Sequence, residues 1–186
     1  MPISWEDFQG LCKALTRAAA SWRSELVLAV GRGGYYPGTL VAHMLRIDVY
    51  PVRLTRRVED VVVHQTPRWL LEPPASVAGR RVLVVDEISS SGQTLRMVKE
   101  RALARHAAEV KTAVLYAHTW GVDVPDAIGL ISDALVLNPW DREILRDGVF
   151  QLHPEYAEAL AQQGITPDPS LLIAAPAITL AKGPAS

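Results

Sequence analysis

Cysteine is nearly absent from this sequence: Cys12 is the only one in 186 residues. That excludes an intramolecular disulfide framework and a cysteine metal cluster, and it predicts a reducing, cytoplasmic setting. A charge excess is missing as well. With 19 Lys+Arg against 20 Asp+Glu, no global basic field draws in nucleic acid or an anionic membrane surface, so any anion must be held by a local site. Long apolar runs are lacking: none approaches the roughly 20 residues that span a bilayer. Residues 1–10 are polar and acidic where a secretory leader would be basic and then apolar. These features predict a soluble protein with no membrane partner. Internal repeats are missing, and so are a concentrated basic stripe and the N-terminal length for a helix-turn-helix, which disfavours a DNA-binding regulator.

What is present reads as alternating strands and helices. Ser4 followed by Asp7, with Phe8, Leu11, Cys12, Leu15 and Ala18 at helical spacing, predicts an amphipathic helix over 5–20. Leu26–Val30 is a short apolar strand that runs into Gly31-Arg32-Gly33-Gly34, after which Pro37 sits in the first turn of a helix reaching about Arg46. Val49–Leu54 is a second strand. Residues 55–79 carry mixed charge, Pro67, Pro73, Pro74 and Gly79 without periodicity, which predicts a long functional or mobile connection. A strand over Arg81–Val85, a loop over Glu87–Gly92 and a helix over Thr94–His106 repeat the strand, loop, helix unit. Val110–Tyr116 and Ala134–Leu137 are read as the remaining strands, with Trp120, Gly121, Pro125 and Gly129 in the loop between them. Pro154–Gln163 is a late helix, and residues 166–186 form an Ala- and Pro-rich extension or tail. The pattern predicts an α/β fold, a mostly parallel sheet flanked by helices, with ligands beyond the carboxyl ends of the strands. One domain over 1–165 is the expected organisation.

The chemistry concentrates in VLVVDEISSSGQTL, residues 82–95. A hydroxyl-rich turn entering a helix offers backbone N–H groups, Ser and Thr donors and the positive end of the helix dipole, which together suit a phosphate. Ser89, Ser90, Ser91, Gly92, Gln93 and Thr94 form that candidate cradle. Asp86 and Glu87 repel a phosphate and so should face sugar hydroxyls, a divalent cation, or both. A phosphorylated sugar satisfies both halves, whereas the plain alternative is a capped helix after a buried strand. The spacing G-x-x-x-x-G-K-[ST] and the fingerprint G-x-G-x-x-G are both absent, which removes the ordinary ATP and NAD readings.

An apolar strand, two acids, two further residues and then hydroxyl, hydroxyl, Gly, any residue, Thr resembles the phosphoribosyl pyrophosphate loop of type I phosphoribosyltransferases. Gly31-Arg32-Gly33-Gly34 followed by Tyr36-Pro37-Gly38 looks like the pyrophosphate loop of the purine enzymes in that family, and Asn138-Pro139-Trp140-Asp141 is similar to the segment whose aromatic ring stacks on the base in xanthine, guanine and hypoxanthine phosphoribosyltransferases. The resemblance covers residues 25–145 in order as well as in motif. It implies a twisted, mostly parallel sheet with a small hood built from the N-terminal residues and about 118–150. It also implies a Mg²⁺-dependent homodimer that transfers the phosphoribosyl group of 5-phosphoribosyl 1-pyrophosphate (PRPP) to a nucleobase in purine salvage, with no nucleic acid involved. Asp86, Glu87 and Arg32 would then be the catalytic set. Residues 89–94 would hold the 5′-phosphate, Arg32, Gly33 and Gly34 the pyrophosphate, Trp140 and His118 the base, and Asp86 and Glu87 the metal, indirectly through PRPP. Residues 56–71 would supply the mobile loop, with Arg56, Arg57 and Arg68 within its span.

The sequence departs from that family pattern at three places. Glu87 stands where the family usually has Asp. Ser90 stands where 6-oxopurine enzymes carry an Asp that serves the purine N7, a general acid or base worth about 10²–10⁴ in rate. His118 stands where purine enzymes place a Lys that reaches the base O6. Two alternatives follow from these departures: a non-catalytic PRPP- or nucleotide-binding sensor of the same fold, and a transferase for a different acceptor base.

Overall fold

The computed structural model describes residues 1–58 and 61–162 together with Gly164 and Thr166, without the side chains of 57, 58, 61 and 62. Its elements in chain order are α1 (Trp5–Ala20), β1 (Leu26–Gly31), α2 (Tyr35–Leu45), β2 (Asp48–Thr55), β3 (Arg57–Val58), β4 (Val61–Val62), β5 (Arg68–Leu71), β6 (Arg81–Ser89), α3 (Gln93–Ala104), β7 (Glu109–Ala117), β8 (Ala127–Ile131), β9 (Glu143–Arg146), β10 (Val149–Leu152) and α4 (Pro154–Gln162). The chain forms two compact units, Trp5–Ala134 on the one hand and Met1–Ser4 with the chain from Leu135 onward on the other. The expected single domain over 1–165 spans both. The expected tail lies outside the described residues apart from Thr166.

The larger unit is a six-stranded sheet in the order β5-β2-β1-β6-β7-β8. All its pairings are parallel except that of β5, which runs antiparallel along β2. The central strands are apolar on both faces because both faces are covered, as a parallel sheet requires. In β1, Leu26, Leu28 and Val30 join the cluster that holds Leu95, Val98 and Ala102 of α3. A Cβ on Gly38 of α2 would meet Ala29 and Val27 from the other side. Two-residue alternation therefore sorts one strand between two helices. The α1 helix buries Phe8, Cys12, Leu15 and Ala19. Burial also pushes the Cys12 thiol up to about 12, so it is a packing residue rather than a nucleophile. Among the described residues no helix is long and apolar enough to cross a membrane.

Four sequence expectations are corrected. The last strand of the sheet is Ala127–Ile131, and Ala134–Leu137 is not a strand, Leu137 making only an isolated bridge with Pro2. Gly129, read as a loop residue, lies in β8, where a Cβ would come within 2.8 Å of the Leu115 carbonyl. The segment 55–79 is not structureless: β3 pairs with β4, and β5 closes the edge of the sheet. Most of β5 is exposed, so no apolar alternation marks it. The β6 strand continues to Ser89, with Ile88 opposite Tyr116 and Ser89 opposite Ala117. Glu87, read as the first loop residue, therefore lies within the strand, next to Asp86, which pairs with Val114 of β7.

The smaller unit is anchored by backbone pairing of its two segments. The Ile3 N–H donates to the Leu137 carbonyl at 2.9 Å, the Leu137 N–H to the Met1 carbonyl at 3.0 Å, and the Arg142 guanidinium to the Ile3 carbonyl at 2.9 Å. Leu137, Tyr156 and Leu160 form its apolar cluster. The β9–β10 hairpin turns at Asp147 and Gly148, both at positive φ, the geometry for which Asp-Gly is suited.

Candidate active site

Two strand, loop, helix turns meet at the carboxyl edge of the sheet. The first runs from β1 through Gly31–Gly34 into α2, with the Gly31–Arg32 peptide bond cis and the Tyr35 N–H donating to the Arg32 carbonyl at 3.1 Å. Gly33 and Gly34 are demanded by the close approach of the neighbouring strand β6. A Cβ on Gly33 would overlap the Glu87 carboxylate, and one on Gly34 would lie 2.8 Å from the Asp86 Cα and 2.9 Å from the Val85 carbonyl. The sequence thus brings Arg32, Gly33 and Gly34 against Asp86 and Glu87 across adjacent parallel strands.

The second turn leaves β6 at Ser89 and enters α3 at Gln93. Gly92 caps the helix at φ 70, a left-handed conformation that glycine adopts without penalty, with the Val124 side chain packed where a Cβ would sit. A cleft of about 180 Å³ opens here, lined by Asp86, Ile88 and residues 89–95 with Arg56 and Pro67. Ser90 and Ser91 are exposed. The Ser91 Oγ accepts a long bond from the Gln93 N–H at 3.4 Å, and the Arg96 guanidinium donates to the Ser91 carbonyl at 3.3 Å. Ser89 differs: it is 1 % exposed, and its hydroxyl donates to the Gly121 carbonyl at 2.9 Å. That hydroxyl fastens the floor of the cleft to the turn after β7.

The two acids differ in environment. Desolvation lifts the Asp86 carboxyl from 3.8 to about 7, against the opposing pull of the Glu87 N–H, which donates to its Oδ1 at 2.7 Å. Part of Asp86 still lines the cleft, so the group is dry on its strand side and reachable from outside. Burial first, then the Glu87 charge, holds the Tyr116 phenol above its ordinary range. A ligand that donates hydrogen bonds or brings positive charge would therefore be attracted to this corner, and a bare anion would be repelled.

The turn after β7 belongs to the same edge. The His118 N–H donates to the Ser89 carbonyl at 3.1 Å, and a Cβ on Gly121 would collide with the carbonyls of Ser89 and Ser90. The His118 imidazole stacks on Trp120, centroids 4.6 Å apart and planes at 19°, and its Nδ1 lies 3.0 Å from the Ser132 carbonyl. Asp133 accepts from the Thr119 N–H at 2.8 Å and from its hydroxyl, bonds that together hold its carboxyl below the usual range.

Trp140 lies in the smaller unit, in a 3₁₀ turn over Pro139–Asp141 that follows the buried Asn138. The Asp141 N–H donates to the Asn138 carbonyl at 3.1 Å. In the larger unit the structure thus gathers Arg32, Gly33, Gly34, Asp86, Glu87 and residues 89–94 at one edge, with His118 bonded to Ser89. Arg56 borders the cleft, Arg68 is exposed on β5, and the Arg57 side chain lies outside what is described. Sequence reasoning did not single out Gly121, Trp120, Ser132 or Asp133. Gly121 and Trp120 stood within a recognised turn, whereas the partners on 132–133 come from a chain segment whose strand was misplaced.

The family described as "Phosphoribosyl transferase domain" matches residues 5–144. The xanthine-guanine phosphoribosyltransferase of Idiomarina loihiensis is 25 % identical over 166 residues, covering 87 % of this chain and 92 % of its own. That of Vibrio atlanticus is 26 % identical over 153 residues, covering 76 % and 89 %. The crystal structure of a purine phosphoribosyltransferase from Pyrococcus horikoshii superposes with a TM-score of 0.70 at 22 % identity, covering 79 % of this chain and 97 % of that one, a likeness of fold.

Proposed function

The chain belongs to the phosphoribosyl transferase domain family, and from that premise we propose that it transfers the 5-phosphoribosyl group of PRPP to a purine base and releases pyrophosphate. The observation that carries this reading is the meeting of the two loops. Gly33 lies against the Glu87 carboxylate and Gly34 against the Asp86 backbone, beside a cleft lined by hydroxyls and a helix N-terminus. Sugar-facing acids, a phosphate cradle and a glycine-arginine anion loop on one edge match the three parts of PRPP.

In this reading the bond from ribose C1′ to pyrophosphate oxygen breaks, and pyrophosphate leaves with the electron pair. The C1′–N bond to the base forms, and the proton lost from the base passes to water. Ser90, Ser91, Thr94 and the N–H groups entering α3 hold the 5′-phosphate, with Gly92 and Gln93 shaping the turn and Ser89 fixing it to Gly121. Asp86 and Glu87 accept from the ribose hydroxyls, and the extra methylene of Glu87 is accommodated where Gly33 leaves room. Arg32 with the N–H groups of Gly33 and Gly34 neutralises the departing charge. His118 is the proposed contact at the base edge.

Mg²⁺ would supply further neutralisation of pyrophosphate when bound. The residues present fit it in an indirect way. The desolvated Asp86 carboxyl gains from a nearby cation, while among the described residues no group of three or more His, Cys, Asp and Glu could hold a metal. Its remaining ligands would be oxygens of PRPP itself. A cytoplasmic homodimer without a nucleic-acid partner is proposed, supported by balanced charge, a buried thiol and the family likeness. Incubation with PRPP, Mg²⁺ and each of a panel of purines and pyrimidines, with products resolved by chromatography, tests the reading. A purine 5′-mononucleotide is the expected product; formation of a pyrimidine nucleotide alone, or of none, overturns it.

A further inference from the structure

We propose that His118 reads the base as a hydrogen-bond acceptor, so that the site prefers a purine bearing an amino group over the same purine bearing a carbonyl oxygen. The proposal rests on the reading of the site as a phosphoribosyltransferase and on His118 as a base contact. The Ser132 carbonyl can only accept, so the Nδ1 that lies 3.0 Å from it carries the proton. In a neutral imidazole the other nitrogen, Nε2, is then a bare lone pair. The ring is held in that orientation: its face stacks on Trp120 at 4.6 Å, and its backbone N–H is fixed to the Ser89 carbonyl of the cleft floor. The side chain of His118 is 17 % exposed. Trp120 is 64 % exposed, which suits a residue kept to position the ring stacked on it.

The charged group facing the imidazole is Asp133, whose Oδ1 is 3.9 Å from Nδ1. Its oxygens accept from the Thr119 N–H and hydroxyl, and the side chain is 46 % exposed, so its pull on the ring is screened by solvent. The other neighbours, Trp120, Ser132 and Ser89, are uncharged. A lone pair at Nε2 accepts from an exocyclic N–H and repels a carbonyl oxygen. A lysine at the same position would do the reverse, because an ammonium can only donate. Ser90 points the same way, as a serine cannot serve as the acid or base that a 6-oxopurine calls for.

The test is run at pH 8.5, above the ordinary titration range of histidine. Equilibrium titration of the protein with AMP and with IMP compares two nucleotides that differ at the amino or oxo position and does not require turnover. AMP is expected to bind about 10–100-fold more tightly, the factor that an unpaired or repelled polar group commonly costs. In parallel, kcat/KM for adenine and hypoxanthine is taken on the same enzyme sample, so that the ratio is independent of the fraction folded. His118→Lys should move that ratio toward hypoxanthine by at least tenfold. IMP binding as tightly as AMP, or a ratio unmoved by the lysine, overturns the proposal. Loss of turnover with every base while AMP is still favoured over IMP would defeat the transferase reading and leave this one standing.

Discussion

The loops after β1 and β6 share a plan, a buried parallel strand running through glycine into a helix, yet they are closed in different ways. The first is packed shut: Gly33 and Gly34 have no side chains because Glu87, the Asp86 backbone and the Val85 carbonyl already fill that space. The second is propped open around a cleft of about 180 Å³ by a left-handed Gly92 and by the bond from Ser89 to Gly121. The closed loop suits an anion gripped by backbone N–H groups at short range, with Arg32 added as a fork. The open one suits a phosphate that enters and leaves. Similar supersecondary units thus acquire different chemistry from what packs behind their glycines.

The largest break of that comparison is expected at the acids that separate the loops. Asp86→Asn should lower kcat by about 10²–10³, the usual cost of removing one preorganised group at a reacting centre, read by initial rates at saturating PRPP. Next comes the closed loop. Arg32→Ala should weaken PRPP about 10–100-fold, as lost charge-assisted bonds do, and change affinity for a nucleoside monophosphate by less than about twofold. Equal losses for both ligands, measured by titration calorimetry, would show that Arg32 does not serve pyrophosphate.

The two neighbouring glycines sharpen the contrast further. Gly34→Ala meets backbone on three sides and should cost about 1–3 kcal/mol of stability, seen as a lower denaturant midpoint. Gly33→Ala meets mainly the end of the flexible Glu87 side chain, so its stability cost should stay below about 1 kcal/mol while turnover falls about tenfold as the carboxylate is displaced. The reverse ranking of stabilities would mean that the loops are not packed as described. The smallest effect concerns pH. The folded Asp86 carboxyl, raised from 3.8 to about 7, binds a proton more tightly than the unfolded one, so its contribution to stability is full below about pH 4 and is lost as pH rises through 7. Asp86→Asn should therefore stabilise the ligand-free protein at pH 8 by on the order of 1 kcal/mol, after allowance for solvent screening of the partly exposed carboxyl, and not at pH 4. Thermal unfolding of both proteins at the two pH values checks this.

The sequence was most informative where one signal determines one structure. Buried runs such as Leu26–Val30 and the glycines of both loops located the parallel strands and the sheet edge at which the two loops meet. It was least informative where a residue has two uses. Gly129 reads as a loop signal but serves close approach to β7, and Glu87 reads as the start of a loop but lies within β6. The exposed edge strand β5 has no apolar period to detect, whereas the Asp147-Gly148 pair is a legible hairpin signal. At the site, Ser89 is indistinguishable from Ser90 and Ser91 in sequence. Only the packing of Gly121 shows that its hydroxyl faces inward.

The central claim, that the closed and open loops together form a PRPP site used for transfer to a purine, is tested most directly by pyrophosphate release from PRPP with Mg²⁺ and a panel of bases. The account predicts release that depends on both Mg²⁺ and a purine and that falls by about 10²–10³ in Asp86→Asn. Binding of PRPP without release in the presence of any base would contradict it.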